Sequence, residues 1–87
     1  MYVYILESKK DGKRYIGSTN NPRRRLIEHA RGAVPSTRYR RPFVLIYIEG
    51  CANEKDARRR EGYLKSTRGN YFLAKRLIEY YRVKTKL

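Results

Sequence analysis

Cysteine and histidine are almost missing from this chain: Cys51 and His29 are the only ones. A single cysteine excludes an intramolecular disulfide, and a zinc site built from Cys and His would lack ligands. Tryptophan is absent. No helical stretch pairs a basic face with a wide Trp/Phe/Leu face, which argues against a membrane surface as partner. No apolar run approaches the roughly 20 residues of a membrane span. The apolar opening, Tyr2-Val3-Tyr4-Ile5-Leu6, meets Glu7 at once and has no basic region before it, unlike a signal peptide. These absences predict a cytoplasmic protein. Repeats, low-complexity stretches and Pro/Gly-rich linkers are lacking too. The 87 residues suit one domain over 1–87. A chain of this size buries only about 60–65% of its unfolded surface, so the core must be compact.

The scarcest class is acid. Eight Asp and Glu face 22 Lys and Arg, for a formal net charge of +14. Arginines cluster at Arg23-Arg24-Arg25, at Arg38 with Arg40-Arg41, and at Arg58-Arg59-Arg60. Such a surplus repels itself unless an anion neutralises it. Nucleic acid is the usual partner, because its phosphates are dense and release counterions on binding. A merely solvated basic surface is the plainer alternative. With so few acids, a two-metal site of clustered carboxylates is unsupported.

Tyr2–Ser8 is rich in β-formers and reads as a strand. Asp11-Gly12 signals a hairpin turn, and residues 14–19 read as the returning strand. Asn20-Asn21-Pro22 supplies an N-cap and a proline for the first helical position, and Gly32 follows the expected helix end near Arg31. Residues 33–41 read as a loop. Phe43 to Ile48 is continuously apolar and reads as a central strand. Asn53 with Asp56 resembles a capping box opening a helix to about Arg68. Asn70 is placed to cap a last helix reaching about Tyr81, with Phe72, Leu73, Leu77 and Tyr80 near one face. The order β-β-α-β-α-α predicts a small α+β fold: a three-stranded antiparallel sheet flanked by helices.

Tyr2-Val3-Tyr4, Tyr15-Ile16-Gly17, Arg25 ten residues after Tyr15, His29 four further on, and Glu61 on the second long helix form an ordered set. In this set the chain resembles the GIY-YIG nucleases, particularly their small free-standing members. These are similar to the N-terminal nuclease module of the bacterial excision-repair enzyme. Tyr2 stands where the family has its first glycine. The resemblance implies a metal-dependent endonuclease acting on DNA, with Tyr4, Tyr15, Arg25, His29 and Glu61 as catalytic residues. Asn70, nine residues after Glu61, is the one candidate for the family's late asparagine, although its position favours a helix N-cap over a catalytic contact. Tyr4 is the leading general base, with Tyr15 assisting or the two roles exchanged.

The chemistry is arguable from residue types alone. Phosphodiester hydrolysis needs a deprotonated water and stabilised phosphate charge. A tyrosine can act as base if its pKa, ordinarily about 10, is lowered by arginine or metal. Arg25 offers a forked donor for phosphate oxygens. Glu61 can hold Mg²⁺ or Mn²⁺, hard ions that keep several waters and need few protein ligands. Gly17 leaves space beside its strand, which suits a phosphate backbone. Arg24, Arg38, Arg40, Arg41, Arg58 and Arg59 are candidate backbone contacts.

Arg25 and His29, at i and i+4, share one helix face. A tight turn centred on Asp11-Gly12 would set Tyr4 opposite Thr19, offsetting Tyr4 and Tyr15 by roughly 13 Å. A shared site then requires a wider loop or a bulge. Each residue also has a plainer reading: Tyr4 and Tyr15 as ordinary strand aromatics, Glu61 as the i,i+4 partner of Lys65, and Gly17 as a bulge. Cys51 and Tyr80-Tyr81 read as structural. The rival function is a non-catalytic nucleic-acid-binding module, RNA- or ribosome-associated. It explains the charge but not the spacing of Tyr15, Arg25, His29 and Glu61. Branched or damaged DNA, RNA, and a partner protein that supplies specificity all remain open.

Overall fold

A computed structural model describes residues 1–86. Its elements run β1 (Tyr2–Ser8), β2 (Arg14–Thr19), α1 (Pro22–Arg31), a short 3-10 turn (Arg38–Arg40), β3 (Phe43–Gly50), α2 (Glu54–Leu64), α3 (Thr67–Arg76) and α4 (Ile78–Lys86). The three strands form one antiparallel sheet in the order β2-β1-β3. This is the α+β sheet expected, with a fourth helix added.

The central strand is β1, not β3 as the continuous apolar run suggested. Every residue from Val3 to Ser8 is buried, whereas Leu45 and Ile48 of β3 are exposed. The misleading signal was the polar end of β1. Glu7 and Ser8 are buried because they are satisfied: Ser8 Oγ donates to the Arg40 carbonyl at 2.6 Å, and Glu7 accepts from Tyr80 at 2.8 Å and Tyr81 at 3.0 Å. A buried polar group costs little once its hydrogen bonds are made. The register of β3 against β1 shifts between Ile5 and Leu6, where one extra β3 residue is accommodated.

Successive side chains of β1 point to opposite faces. Val3 and Ile5 enter a core with Ile16, Ala57, Leu64 and Leu73, beneath α2 and α3. Tyr4 and Leu6 face the other way, toward α1. Helix α1 starts as its sequence predicts: the Asn21 side chain accepts from Arg24 N at 3.1 Å, Pro22 opens the first turn, and Gly32 ends it at φ +78°. A left-handed φ favours glycine.

The hairpin turn is wider than a tight Asp11-Gly12 turn. Ser8 N donates to Lys13 O, and Gly12 N donates to Ser8 O, both at 2.9 Å. Ser8 Oγ gathers the amides of Lys10 and Asp11 at 3.1 Å each. The result pairs Tyr4 with Gly17 and Leu6 with Tyr15, two residues away from the tight-turn register. Tyr4 and Tyr15 thereby become diagonal neighbours on one face.

Two helix boundaries also differ from expectation. Helix α2 ends at Leu64, and Ser66, not Asn70, caps α3 by accepting from Gly69 N at 3.2 Å. The backbone of Gly69 packs so closely on Tyr63 and Leu64 that a Cβ would collide. That contact sets the sharp turn between α2 and α3. Asn53 caps α2 as expected, accepting from Lys55 N at 2.8 Å, but Asp56 pairs with Arg59 instead of completing a box.

Candidate active site

The wider hairpin loop delivers both tyrosines to one place. Tyr4 is 1% exposed, and its ring centroid lies 6.4 Å from that of Tyr15. The Tyr4 ring lies across Gly17. A Cβ there would stand 2.6 Å from Tyr4 Oη and 3.2 Å from Tyr15. The space beside Gly17, suited in sequence terms to a phosphate backbone, is therefore occupied by the two rings.

From the opposite side, α1 presents His29. Its Nε2 lies 2.8 Å from Tyr4 Oη, and its ring stacks edge-on against Tyr15 at 5.1 Å. Its Nδ1 lies 2.8 Å from Thr37 Oγ1. Thr37 is fully buried, and its hydroxyl also sits 3.4 Å from the Val34 carbonyl. A hydroxyl carries one proton. If Thr37 gives it to Val34, it accepts from Nδ1–H, and bare Nε2 then accepts from Tyr4.

Electrostatics separate the two partners. Burial pushes the Tyr4 phenol above its ordinary value; the Arg25 hydrogen bond opposes this, and the charges of Tyr15 and Glu61 reinforce it. The lowered tyrosine anticipated from the neighbouring arginine does not arise, because burial outweighs that charge. Burial and the Arg25 charge push His29 below its ordinary value, so it is neutral at pH 7. A protonated phenol thus faces an unprotonated imidazole.

Glu61 approaches from the other face of β2. Ser18 Oγ donates to Oε1 and Lys65 Nζ to Oε2, both at 2.7 Å. Burial works upward on this carboxyl, but the Lys65 and Ser18 hydrogen bonds and the charges of Lys65 and Arg58 hold it below the usual carboxylate range. Glu61 is ionised, and the Lys65 ammonium already sits where a cation is favoured. Among the described residues no group of three or more His, Cys, Asp or Glu is placed to hold a metal. This donor set fits a hard ion bound by one carboxylate and water, and not zinc.

Tyr4, Tyr15, Gly17, Arg25 and His29 thus meet on one face, and Glu61, on the other face of β2, acts on Tyr4 through its charge. Asn70 does not join them: it lies within α3, where its Oδ1 accepts from Arg14 at 3.3 Å. Arg24 is exposed at the start of α1 and lines a cleft with Ser18, Arg25 and Arg58. Arg38 and Arg41 are exposed but anchored by backbone carbonyls, Arg38 to Gly32 at 2.9 Å and Arg41 to Arg38 at 2.8 Å. Arg40 is pinned by Asp11 at 3.1 Å and faces Phe43. Arg58 and Arg59 are exposed and paired with Glu54 and Asp56 on their own helix. Sequence reasoning missed Thr37 and Ser18. The latter adjoins the Tyr15-Ile16-Gly17 motif; Thr37, in a loop, carries no pattern to reveal it.

The model of the GIY-YIG catalytic domain matches residues 1–77, and the chain belongs to the GIY-YIG family. Among its relatives are UPF0213 proteins. One from Streptococcus pneumoniae is 45% identical over 74% of this chain and 65% of its own length, just under two thirds. One from Clostridium perfringens is 41% identical over 79% of this chain and 74% of its own. The solution NMR structure of a UPF0213 protein from Bacillus halodurans is similar with a TM-score of 0.53 and 39% identity, covering 85% of this chain and 81% of that one. The family match ends one residue before α4.

Proposed function

We propose that the chain is a metal-dependent endonuclease that hydrolyses phosphodiester bonds in DNA, as one catalytic unit over 1–87 that acts in the cytoplasm. The observation that carries this reading is the 2.8 Å contact of Tyr4 Oη with a neutral His29, beside Arg25 and an ionised Glu61.

A lone buried phenol is a poor base at neutral pH. Paired with His29 it becomes a useful one. As water attacks phosphorus, its proton passes to Tyr4, and the proton of Tyr4 passes to His29 Nε2. The phenol stays neutral throughout, and the positive charge ends on the imidazole. Thr37 holds the ring in the receptive tautomer. Tyr15 orients the water or exchanges roles with Tyr4. Arg25 binds the non-bridging oxygens. Glu61 would hold Mg²⁺ or Mn²⁺, which supplies neutralisation of developing phosphate charge. Arg24, Arg38, Arg41, Arg58 and Arg59 provide phosphate contacts, with Arg40 serving the loop's shape. Asn70, bound to Arg14, is left out of this mechanism.

The test is incubation of pure protein with branched, nicked, single-stranded and duplex DNA, and with RNA, under Mg²⁺, Mn²⁺ or chelator. Cleavage that needs metal is expected. Salt-dependent binding with no cleavage under any condition would establish the non-catalytic binding module instead.

A further inference from the structure

A cavity of about 690 Å³ opens between α1, the 3-10 turn and β3. It lies within the range of small-molecule sites, about 300–1,000 Å³. Its floor is aliphatic, from Leu6, Leu26 and Leu45. Its walls carry three flat rings: His29, Phe43 and Tyr39. His29 and Phe43 stack edge-on at 6.4 Å, while Tyr39 is 76% exposed and has no core to fill. The rim is basic, with Lys10, Arg38 and Arg41. The hydrolytic scheme above gives the interior of this cavity no occupant, although His29, Arg38 and Arg41 belong to both.

We infer that this cavity receives an unpaired nucleobase of the nucleic-acid substrate, with the flanking phosphates held by Lys10, Arg38 and Arg41; this rests on the nuclease reading and names its substrate class. Three features argue for that occupant. Aromatic walls around an aliphatic floor suit a flat heterocycle, because every base has a face that stacks. A basic rim suits the anionic backbone on either side of the base, whereas an apolar protein segment would leave these three cations unneutralised. The rim cations are also held in place. Arg38 uses Nε on Gly32 O, and Arg41 uses Nε and one terminal nitrogen on Arg38 O and Ala30 O. A guanidinium has five N–H donors, so donors remain for phosphate. Lys10 is fixed by the Tyr39 carbonyl at 3.0 Å.

The position beside His29 gives the cavity a consequence. A base seated in this cavity, which the buried His29 borders, sets the strand's register near the Tyr4–His29 pair. A fully stacked duplex has no base to offer, so the substrate class is DNA with an unpaired nucleotide.

The test uses two DNAs of equal length, one carrying a single unpaired 2-aminopurine as a bulge and one fully paired, bound in chelator so that nothing is cut. The parent is expected to favour the bulge by about fivefold to a hundredfold, with 2-aminopurine fluorescence quenched on binding. Tyr39→Ala removes a wall from an exposed position, and Ala30→Trp fills the cavity from an exposed position of α1. Each should bring the affinity ratio close to one. A ratio of one for the parent, or a ratio unchanged in both variants, overturns the inference. A parent that cuts DNA with metal but shows no bulge preference loses the cavity reading alone. Bulge preference without cleavage under any metal removes the catalytic reading and supports the cavity.

Discussion

Strand β1 carries two buried polar clusters, one on each face, and both contain tyrosine. On one face Tyr4 meets His29 and Thr37. On the other, Glu7 accepts from Tyr80, Tyr81 and Lys84, and Arg14 joins through Tyr81 at 2.9 Å. The contrast lies in what each tyrosine faces. Tyr80 donates to a carboxylate that stays ionised: burial works upward on Glu7, but hydrogen bonds from Lys84, Tyr80 and Tyr81 hold it below its usual range. Burial and the Glu7 partner push the Tyr80 phenol up to about 12. A proton there has no destination, and the cluster clamps α4 to the sheet. Tyr4 faces a neutral imidazole that can take its proton. The same side chain is a fastener in one place and a candidate base in the other, and the partner decides which.

The largest break in that comparison is predicted at Glu61. Glu61→Ala should abolish metal-dependent cleavage and Mn²⁺ binding, while nucleic-acid affinity holds or rises, because a negative charge leaves a basic surface. Calorimetry showing equal Mn²⁺ binding by variant and parent would refute the assignment.

Gly17→Ala sets a methyl only 2.6 Å from Tyr4 Oη, too close for the ring to stay in place. Displacing Tyr4 from His29 should lower single-turnover cleavage at least tenfold, in line with the 10²–10⁴-fold range of general-base loss. Full activity in this variant would mean that the Tyr4 position is not critical.

Acid should separate the clusters. The depressed His29 is neutral in the fold, so its contribution to stability is complete above about pH 6.5 and declines as pH falls below it, where the unfolded chain binds the proton more readily. Once His29 is protonated it cannot accept from Tyr4, so cleavage should show an acid limb lying below about pH 6.5. Glu7 behaves in the same direction but lower: its contribution is present above about pH 4.5 and is lost as pH falls through its depressed folded value. Cleavage should therefore fail at a higher pH than the fold does. A pH–rate profile beside acid unfolding followed by circular dichroism checks this, and coincident transitions would contradict it.

Glu7→Gln sharpens the other side. It keeps the shape but weakens charged hydrogen bonds, each of which contributes about 1.5–3 kcal/mol. A loss of that order in chemical denaturation is expected, with α4 loosening first in hydrogen exchange. An unchanged midpoint would show that α4 is held by other contacts.

Much of the site was legible because its residues are tied to local signals. Asn21-Pro22 and Gly32 bound α1, and Arg25 and His29 share its face by helical period. What the sequence hid was tertiary. The wide hairpin loop depends on Ser8 Oγ gathering two amides, a pattern that no turn dipeptide encodes. The central place of β1 was obscured by Glu7 and Ser8, whose partners lie on α4 and in the loop before β3. Ser66 won the α3 cap over Asn70 because Gly69 lets the two helices approach closely at that turn. Thr37 acts only through His29, eight residues away along the chain. Motif spacing showed which residues meet, and long-range hydrogen bonds set how they face one another.

The most direct test of the account is single-turnover cleavage by Tyr4→Phe and Tyr80→Phe, measured with DNA affinity and unfolding free energy on the same preparations. Each variant removes one hydroxyl and keeps its ring. Tyr4→Phe should cut about 10²–10⁴-fold more slowly, with affinity nearly intact and a stability loss of about 0.5–1.5 kcal/mol. Tyr80→Phe should lose a comparable or larger amount of stability and cleave at the parent's rate. Equal cleavage by Tyr4→Phe and the parent would contradict the proton path from water through Tyr4 to His29.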